Sequence, residues 1–314
     1  MKILLTGGVG FIGSHTCRAL LDRGDEVTIL DDFSDAPYPT ALKRENASAL
    51  AGPRCQILEG CVTDPHVLNA VRADAVIHLA GLAGVRPSFA EPTRYARVNV
   101  EGTMRVLEWA RRMQIQRVVL ASSSSVYGDS TPLPAHEDAA AIAPESPYAA
   151  SKRAAELLAE STAKSMPGVA ITALRFFTVY GPRQRPEMAI SSFARALRSG
   201  APIVQFGDGS MRRDFTHVHD IVRGVLAALT HAPLRYRAYN LGSGAPVTLR
   251  ALIESLQNAS NTVATIQRVE RPLGDVEATF ADITRAREEL GWSPEISLDQ
   301  GLRTVFEALE AARS

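Results

Sequence analysis

Cysteine is scarce in this chain: Cys17, Cys55 and Cys61 are the three among 314 residues. An odd number without a CxxC pair excludes a disulfide framework and a zinc-finger spacing. It points to a reducing compartment, with the cytoplasm as the default expectation. No metal site is expected. Net charge is missing too. Lys and Arg number 34, as do Asp and Glu, so the formal charge is +0 with His neutral. No global field steers the chain onto nucleic acid or an anionic membrane. No apolar run approaches the ~18 residues of a membrane helix. The opening MKILLTGGVGFIGSH is broken by glycines and has no small-residue cleavage site, so it reads as a buried strand and a turn rather than a signal peptide. Neither nucleic acid nor a membrane is expected as a partner, and any anion must be caught by a local site.

What is present suffices for a sizeable core: 46% of the residues are hydrophobic and 22% charged. Apolar runs at 2–6, 26–30, 55–58, 75–80, 117–123 and 169–177 are continuous, as in strands buried on both faces. Helical stretches at 11–23, 64–72, 91–113 and 145–165 alternate with them. The alternation predicts an α/β fold with a doubly wound parallel sheet. After about residue 180 the texture loosens, with Pro182, Pro186 and helices near 188–199, 219–230, 248–259, 282–290 and 298–312. The expected division is a dinucleotide-binding domain over 1–178, with a return segment near 213–235, and a smaller α/β substrate domain over 179–314.

Gly7, Gly10 and Gly13 form GxxGxxG between the first strand and the first helix. The first glycine permits the turn, the second lets backbone approach a pyrophosphate, and the third packs helix on strand. The helix N-terminus supplies N–H groups and a positive dipole end. Eighteen positions beyond Gly13, the second strand ends in Asp31-Asp32. A carboxylate there accepts from ribose hydroxyls and repels a 2′-phosphate, which favours NAD over NADP.

Tyr148 and Lys152 stand four apart on an expected helix and so share a face. A phenol is a poor base near neutral pH unless a cation stabilises its phenolate, and Lys152 beside a positive nicotinamide ring would do so. Ser122, Ser123, Ser124 and Ser125 close an expected strand, at the end of the sheet where ligands bind. Some of these hydroxyls are expected to cap the turn instead.

TGGVGFIGSH, HLAG, ASSSSVYG, YAASK and GDGSMRRDF resemble, in order and over essentially the whole chain, the motifs of extended short-chain dehydrogenase/reductases, in particular nucleotide-sugar epimerases. The resemblance implies a Rossmann-type fold and a homodimer formed through the helices at 91–113 and 145–165. It implies Ser123, Tyr148 and Lys152 as the catalytic set: Ser123 binds the sugar 4-hydroxyl, Tyr148 takes its proton, and C4 gives a hydride to NAD, leaving a transient 4-ketone. Around the cofactor it places Gly7, Gly10, Phe11, Ile12, Gly13, Asp31 and Asp32. Leu79, Ala80, Gly81, Asn99 and Ser122 join them, with Tyr148 and Lys152. Around a UDP-sugar it places Arg86, Ser123, Ser124, Ser125, Tyr148 and Thr178. Arg185, Met188, Gln205, Arg213, Arg271 and Asp275 complete that side, with Arg213 on the diphosphate and Asp275 on the uridine ribose. One position departs: Cys61 stands where relatives carry an Asp that reaches the adenine, which predicts a weaker adenine contact.

Dehydratases of this family carry Asp and Glu at the positions of Ser124 and Ser125, and a hydroxyl cannot serve as their acid. RFFTVYGPRQRPEM and AGVRPS resemble the UDP-glucuronate 4-epimerases in particular. A C6 carboxylate needs hydroxyl or cationic partners, which Ser123 to Ser125, Thr178 and Arg185 offer. The alternatives are a UDP-glucose or UDP-GlcNAc 4-epimerase, left open by the small Thr279, then a UDP-glucuronate decarboxylase or a non-catalytic sensor.

Overall fold

The Val, Ile and Leu runs become one parallel sheet. Its strands, in chain order, are β1 (Lys2–Thr6), β2 (Glu26–Asp31), β3 (Cys55–Glu59), β4 (Ala75–His78), β5 (Arg117–Ser123), β6 (Ala170–Phe176) and β7 (Tyr236–Leu241). Their spatial order is β7-β6-β5-β4-β1-β2-β3, with every pair parallel. The computed structural model describes residues 1–35, 38–139, 144–270 and 276–311. Strand order reverses between β1 and β4, whose carboxyl ends, Thr6 and His78, lie in register. A reversal of this kind opens a crevice at the strand ends, the usual ligand site of such sheets.

Successive residues of a strand point to opposite faces, so each strand feeds two cores. Leu5, Val119 and Leu174 pack with the helices Phe11–Asp22 and Val218–His231. Leu4, Val118 and Ile171 pack on the other side with Trp109 and Ala159, from the helices Gly102–Arg112 and Pro147–Lys164. A third core of Tyr180, Phe193, Ile203, Leu252 and Leu302 builds the smaller lobe. Its helices are Ala189–Ser199, Leu249–Ser260 and Leu298–Ala311, flanking a parallel pair of strands, Ile203–Phe206 and Ile266–Val269.

Three features differ from the sequence pattern. The segment 64–72 forms successive turns, not a helix. Asp64 Oδ1 takes the His66 N–H at 2.8 Å, and three-residue bonds follow from Asn69 to His66 and Val71 to Leu68. An aspartate that bonds its own downstream backbone competes with helix formation in this way. The stretch 91–113 is helical, but a π-helical turn over Ala96–Glu101 interrupts it, as happens often near functional sites. β7 is the third difference: Arg237 and Asn240 break its apolar run, and pairing with β6 overrides the weak local signal.

The helix Phe11–Asp22 meets the smaller lobe through three imidazoles. His15 Nε2 donates to the Pro182 carbonyl at 2.9 Å, and His217 Nε2 lies 3.1 Å from Thr304 Oγ1. The His219 ring sits 5.4 Å from His15 and 4.9 Å from His217. Burial, then the neighbouring His219, lowers both His15 and His217 to about 4 from 6.5. The folded state therefore binds these protons more weakly than the unfolded chain. Their contribution to stability is whole above about pH 6.5 and is lost as pH falls from there toward 4. The urea midpoint should accordingly drop between pH 7 and pH 5. His15→Gln retains a donor for Pro182 and should remove about 1–2 kcal/mol of that pH-dependent loss.

Candidate active site

The first turn is shaped by glycine where no side chain fits. Gly7 has φ +70°, and a Cβ there would lie 2.6 Å from the Ala80 nitrogen. A Cβ on Gly13 would lie 2.1 Å from the Gly7 carbonyl oxygen, whereas one on Gly10 meets that oxygen at 3.3 Å and nothing else within 4 Å. Thus Gly7 and Gly13 serve packing, and Gly10 faces open space. Gly10 makes no side-chain cap to the helix Phe11–Asp22, leaving the first N–H groups for an anion. Phe11 and Ile12 sit in that first turn; their rings and methyls turn to His15 and the core, so their backbones are what they offer.

At the end of β2 the two carboxylates part. Asp31 is buried and accepts from the Phe33 N–H at 3.0 Å and from Lys43 Nζ at 3.0 Å. Asp32 accepts from the Ser34 N–H, lies 3.6 Å from Lys43 Nζ and has a side chain 36% exposed. Lys43 comes from the helix Thr40–Leu50, which the sequence pattern did not single out. Two carboxylates against one ammonium leave this end of the crevice negative, a poor environment for a phosphate group. Cys61 Sγ rests 3.1 Å from Thr63 Oγ1.

The switch point is pinned by a chain of hydroxyls and one neutral imidazole. Thr103 Oγ1 donates to the Asn99 carbonyl and so accepts from His78 Nε2–H at 3.1 Å. His78 Nδ1 therefore accepts from Thr6 Oγ1 at 2.6 Å, and Thr6 Oγ1 accepts the Ala80 N–H at 3.2 Å. Burial, then the charge of Lys152, lowers His78 to about 3. Leu79 donates its N–H to the Thr6 carbonyl. Asn99, in the π-helical turn, holds both backbone groups of Leu82, at 2.8 and 3.0 Å, and donates to Ser151 Oγ at 2.9 Å. Its amide thus shapes the loop. Gly81 admits this packing, since a Cβ there would lie 3.0 Å from Asn99 Oδ1 and 3.2 Å from Lys152 Nζ.

Ser146 caps the helix Pro147–Lys164 by accepting the Ala149 N–H, and the first two turns carry Tyr148 and Lys152, both buried. Lys152 Nζ donates to the Ala121 carbonyl at 2.9 Å; burial lowers its value to about 8, against the raising effect of Glu156. Burial also raises the Tyr148 phenol, while a hydrogen bond with Ser123 and the charge of Arg185 act the other way. Arg185 is thus a second cation near the phenol, in addition to Lys152, which shares the helix of Tyr148. Tyr95, unremarked in the sequence, packs edge-on against Tyr148 with centroids 6.1 Å apart.

Ser123 caps the short turn Ser124–Tyr127, accepting the Ser125 N–H at 3.2 Å and donating to Ser125 Oγ at 3.1 Å. Ser124 opens that turn and is half-buried. Ser122 turns its hydroxyl inward to Glu156 Oε1 at 2.6 Å, so that oxygen's proton is committed. Arg185 contacts the Ala83 carbonyl, Met188 Sδ at 3.2 Å and Glu187 at 3.3 Å. Arg86 lies over Phe206, 4.8 Å from the ring centre, and joins the loop after β4 to the smaller lobe. Gln205 is buried and donates to the Gly207 carbonyl. Thr178 gives its N–H to the Asp214 carbonyl, and Arg213 donates to the carbonyls of Val276 and Glu277. Thr279, expected to border the sugar, accepts the Asp214 N–H at 3.0 Å. Arg271 and Asp275 lie outside the described residues.

Residues 3–242 match the model of the NAD dependent epimerase/dehydratase family. The chain belongs to that family. It is 40% identical over 309 residues to a UDP-glucuronate 4-epimerase of Thermodesulfobacterium geofontis, spanning 96% of this chain and 94% of that one. It is 38% identical to UDP-glucuronate 4-epimerase 1 of Arabidopsis thaliana, over 96% and 75% of the two chains. Among solved structures, the UDP-glucuronic acid 4-epimerase of Bacillus cereus in complex with UDP-glucuronic acid and NAD superposes with a TM-score of 0.92. That pair is 34% identical and covers 99% and 100% of the two chains. The glycine turn, uncapped helix and paired carboxylates of this family member fit a dinucleotide. Gly13→Ala should weaken NAD binding ~tenfold or more and cost on the order of 1–3 kcal/mol by overpacking against backbone. Calorimetric titration with NAD and a melting curve check both.

Proposed function

We propose that the protein is an NAD-dependent UDP-glucuronate 4-epimerase that interconverts UDP-glucuronate and UDP-galacturonate. The observation that carries the reading is the burial of Tyr148 and Lys152 on one helix, with the Lys152 ammonium fixed on the carbonyl of Ala121, two residues before Ser123. NAD, when bound, supplies the acceptor and the returning donor for the hydride at C4. Ser123 orients the 4-hydroxyl, and Tyr148 takes its proton and later gives it back. Lys152, fixed on the Ala121 carbonyl, adds positive charge on the cofactor side of the phenol. Arg185 offers a planar fork to the C6 carboxylate.

Ser124 and Ser125 offer no acid–base pair for eliminating water, which speaks against dehydration. A 4-keto glucuronate is a β-keto acid that loses CO2 when its carboxylate aligns with the ketone. A cation that grips the carboxylate keeps it from that alignment. Arg86 and Arg213, flanking the smaller lobe, suit the diphosphate, so that the nucleotide stays held while the sugar turns.

Incubation with each UDP-sugar, without added NAD, followed by NMR, tests the reading. UDP-galacturonate from UDP-glucuronate is expected. A pentose product, or turnover of UDP-glucose alone, would overturn it. Tyr148→Phe should cut turnover by at least ~10²-fold while UDP binding by calorimetry stays within about twofold.

A homodimer fits the same family. Leu157, on the helix Pro147–Lys164, is 50% exposed, and Phe89, just before the helix that begins at Pro92, is 53% exposed. Sedimentation at micromolar concentration should give twice the 33.8 kDa chain mass; a monomer would reject the dimer.

A further inference from the structure

Ser122, Arg175 and Asn240 occupy one row across β5, β6 and β7. On the adjacent helix, Glu156 reaches into this row. Its carboxylate accepts from Ser122 Oγ at 2.6 Å and Arg175 Nε at 2.9 Å through Oε1. Through Oε2 it accepts from Arg175 Nη2 at 2.8 Å and Arg153 Nη1 at 2.9 Å. Arg175 Nη1 goes on to the Tyr127 hydroxyl and the Glu137 carbonyl, and Tyr127 donates to Asn240 Oδ1 at 2.6 Å. Glu156 and Arg175 are each only 2% exposed. A carboxylate with four donors in place is rigid.

This network adjoins the reacting groups on both elements. Ser122 lies between Ala121, whose carbonyl takes the Lys152 ammonium, and Ser123, the hydroxyl that acts on the Tyr148 phenol. Lys152 and Glu156 are one helical turn apart on the helix that also carries Tyr148. The end of β5 is therefore gripped from one helix at two successive residues.

Resting on the epimerase reading above, we propose that Glu156, clamped by Arg175, is a positioning residue for the reaction. Through Ser122 it locks the end of β5 to the helix Pro147–Lys164, and so fixes Ser123 and Lys152 about Tyr148. It is also the anion beside Lys152. Of the neighbouring groups, Tyr148 shares its helix, the neutral His78 on β4 feels its charge, and the cations Arg153 and Arg175 are bonded to Glu156 itself; Arg185 acts on Tyr148. Among them Glu156 alone favours the charged lysine.

Two variants separate this role from a merely structural one. Ser122→Ala keeps the ion pair and cuts the tie to the strand. It should lower kcat for UDP-glucuronate about tenfold while KM, NAD content and Tm stay close to wild type, and Ser122→Thr should restore the rate. Glu156→Gln keeps hydrogen-bonding atoms but removes the charge, and should move the alkaline limb of the kcat–pH profile down by about one unit. The chain has four lysines, Lys2, Lys43, Lys152 and Lys164, so the same shift is readable without turnover from the 13Cε signal of Lys152. Wild-type kcat in Ser122→Ala, a loss that follows NAD content or Tm, or a Lys152 titration unmoved in Glu156→Gln would each overturn the proposal. A wild-type protein inert toward UDP-glucuronate would instead sink the epimerase reading, and the lysine signal would still report on Glu156.

Discussion

The Arg175–Glu156 pair is the constraint on which the sheet's working end depends. Taking both ions out of water costs several kcal/mol each, a cost recovered only when every donor and lone pair is matched. Here each carboxylate oxygen accepts two bonds and the guanidinium spends its remaining arm on Tyr127 and Glu137. Such a pair adds little net stability over an apolar substitute of the same shape. What it adds is a single allowed register. Arg175 on β6 and Glu156 on the helix cannot shift by a residue without stranding a charge, so the helix bearing Tyr148 and Lys152 has one seat on the sheet.

The same logic appears at the other half of the crevice in neutral form. Between β1 and β4 the strand ends are fixed by Thr6, His78 and Thr103, each hydroxyl both donating and accepting. An imidazole suits this place because burial holds it neutral, with one donor and one acceptor on opposite sides of the ring. A charged residue would compete with Lys152 for the same small volume. The ends of β1 and β4 are thus held by groups that stay neutral near neutral pH.

Legibility in the sequence followed the range of the interactions. Gly7, Gly10 and Gly13 act on neighbours within one turn, so their spacing carried the message. Tyr148 and Lys152 share a helix face by arithmetic alone. Asn99 was visible as a motif residue, but its task, holding Leu82 from a π-helical turn, arises from a loop 17 positions away. Lys43, Tyr95 and the strand β7 gave no local sign, and Arg175 gave a weak one. Each acquires its meaning from a partner distant in the chain: Asp31, Tyr148, β6 and Glu156. Arg175 stood inside an apolar run, and a charged residue within a strand buried at all seven positions is the one signal that pointed to a buried acid elsewhere. Thr279 was read for its small size; its hydroxyl also accepts the Asp214 N–H, a long-range bond with no local sign.

On the proposed function, Arg185 links the two demands that a uronate would place on this site. A guanidinium acting on Tyr148 favours the phenolate, and the same cation is the natural partner of a C6 carboxylate. Glu187, at 3.3 Å and largely exposed, balances it in the free chain. A uronate brings its own negative charge and can take that place; a neutral hexose cannot. With a neutral sugar the guanidinium must either keep Glu187 or remain partly uncompensated in a dry cleft, and both outcomes lower the return on binding. On that reading, discrimination at C6 would rest on charge, which costs several kcal/mol to mismatch in a desolvated site, rather than on the small difference in size between a carboxylate and a hydroxymethyl group.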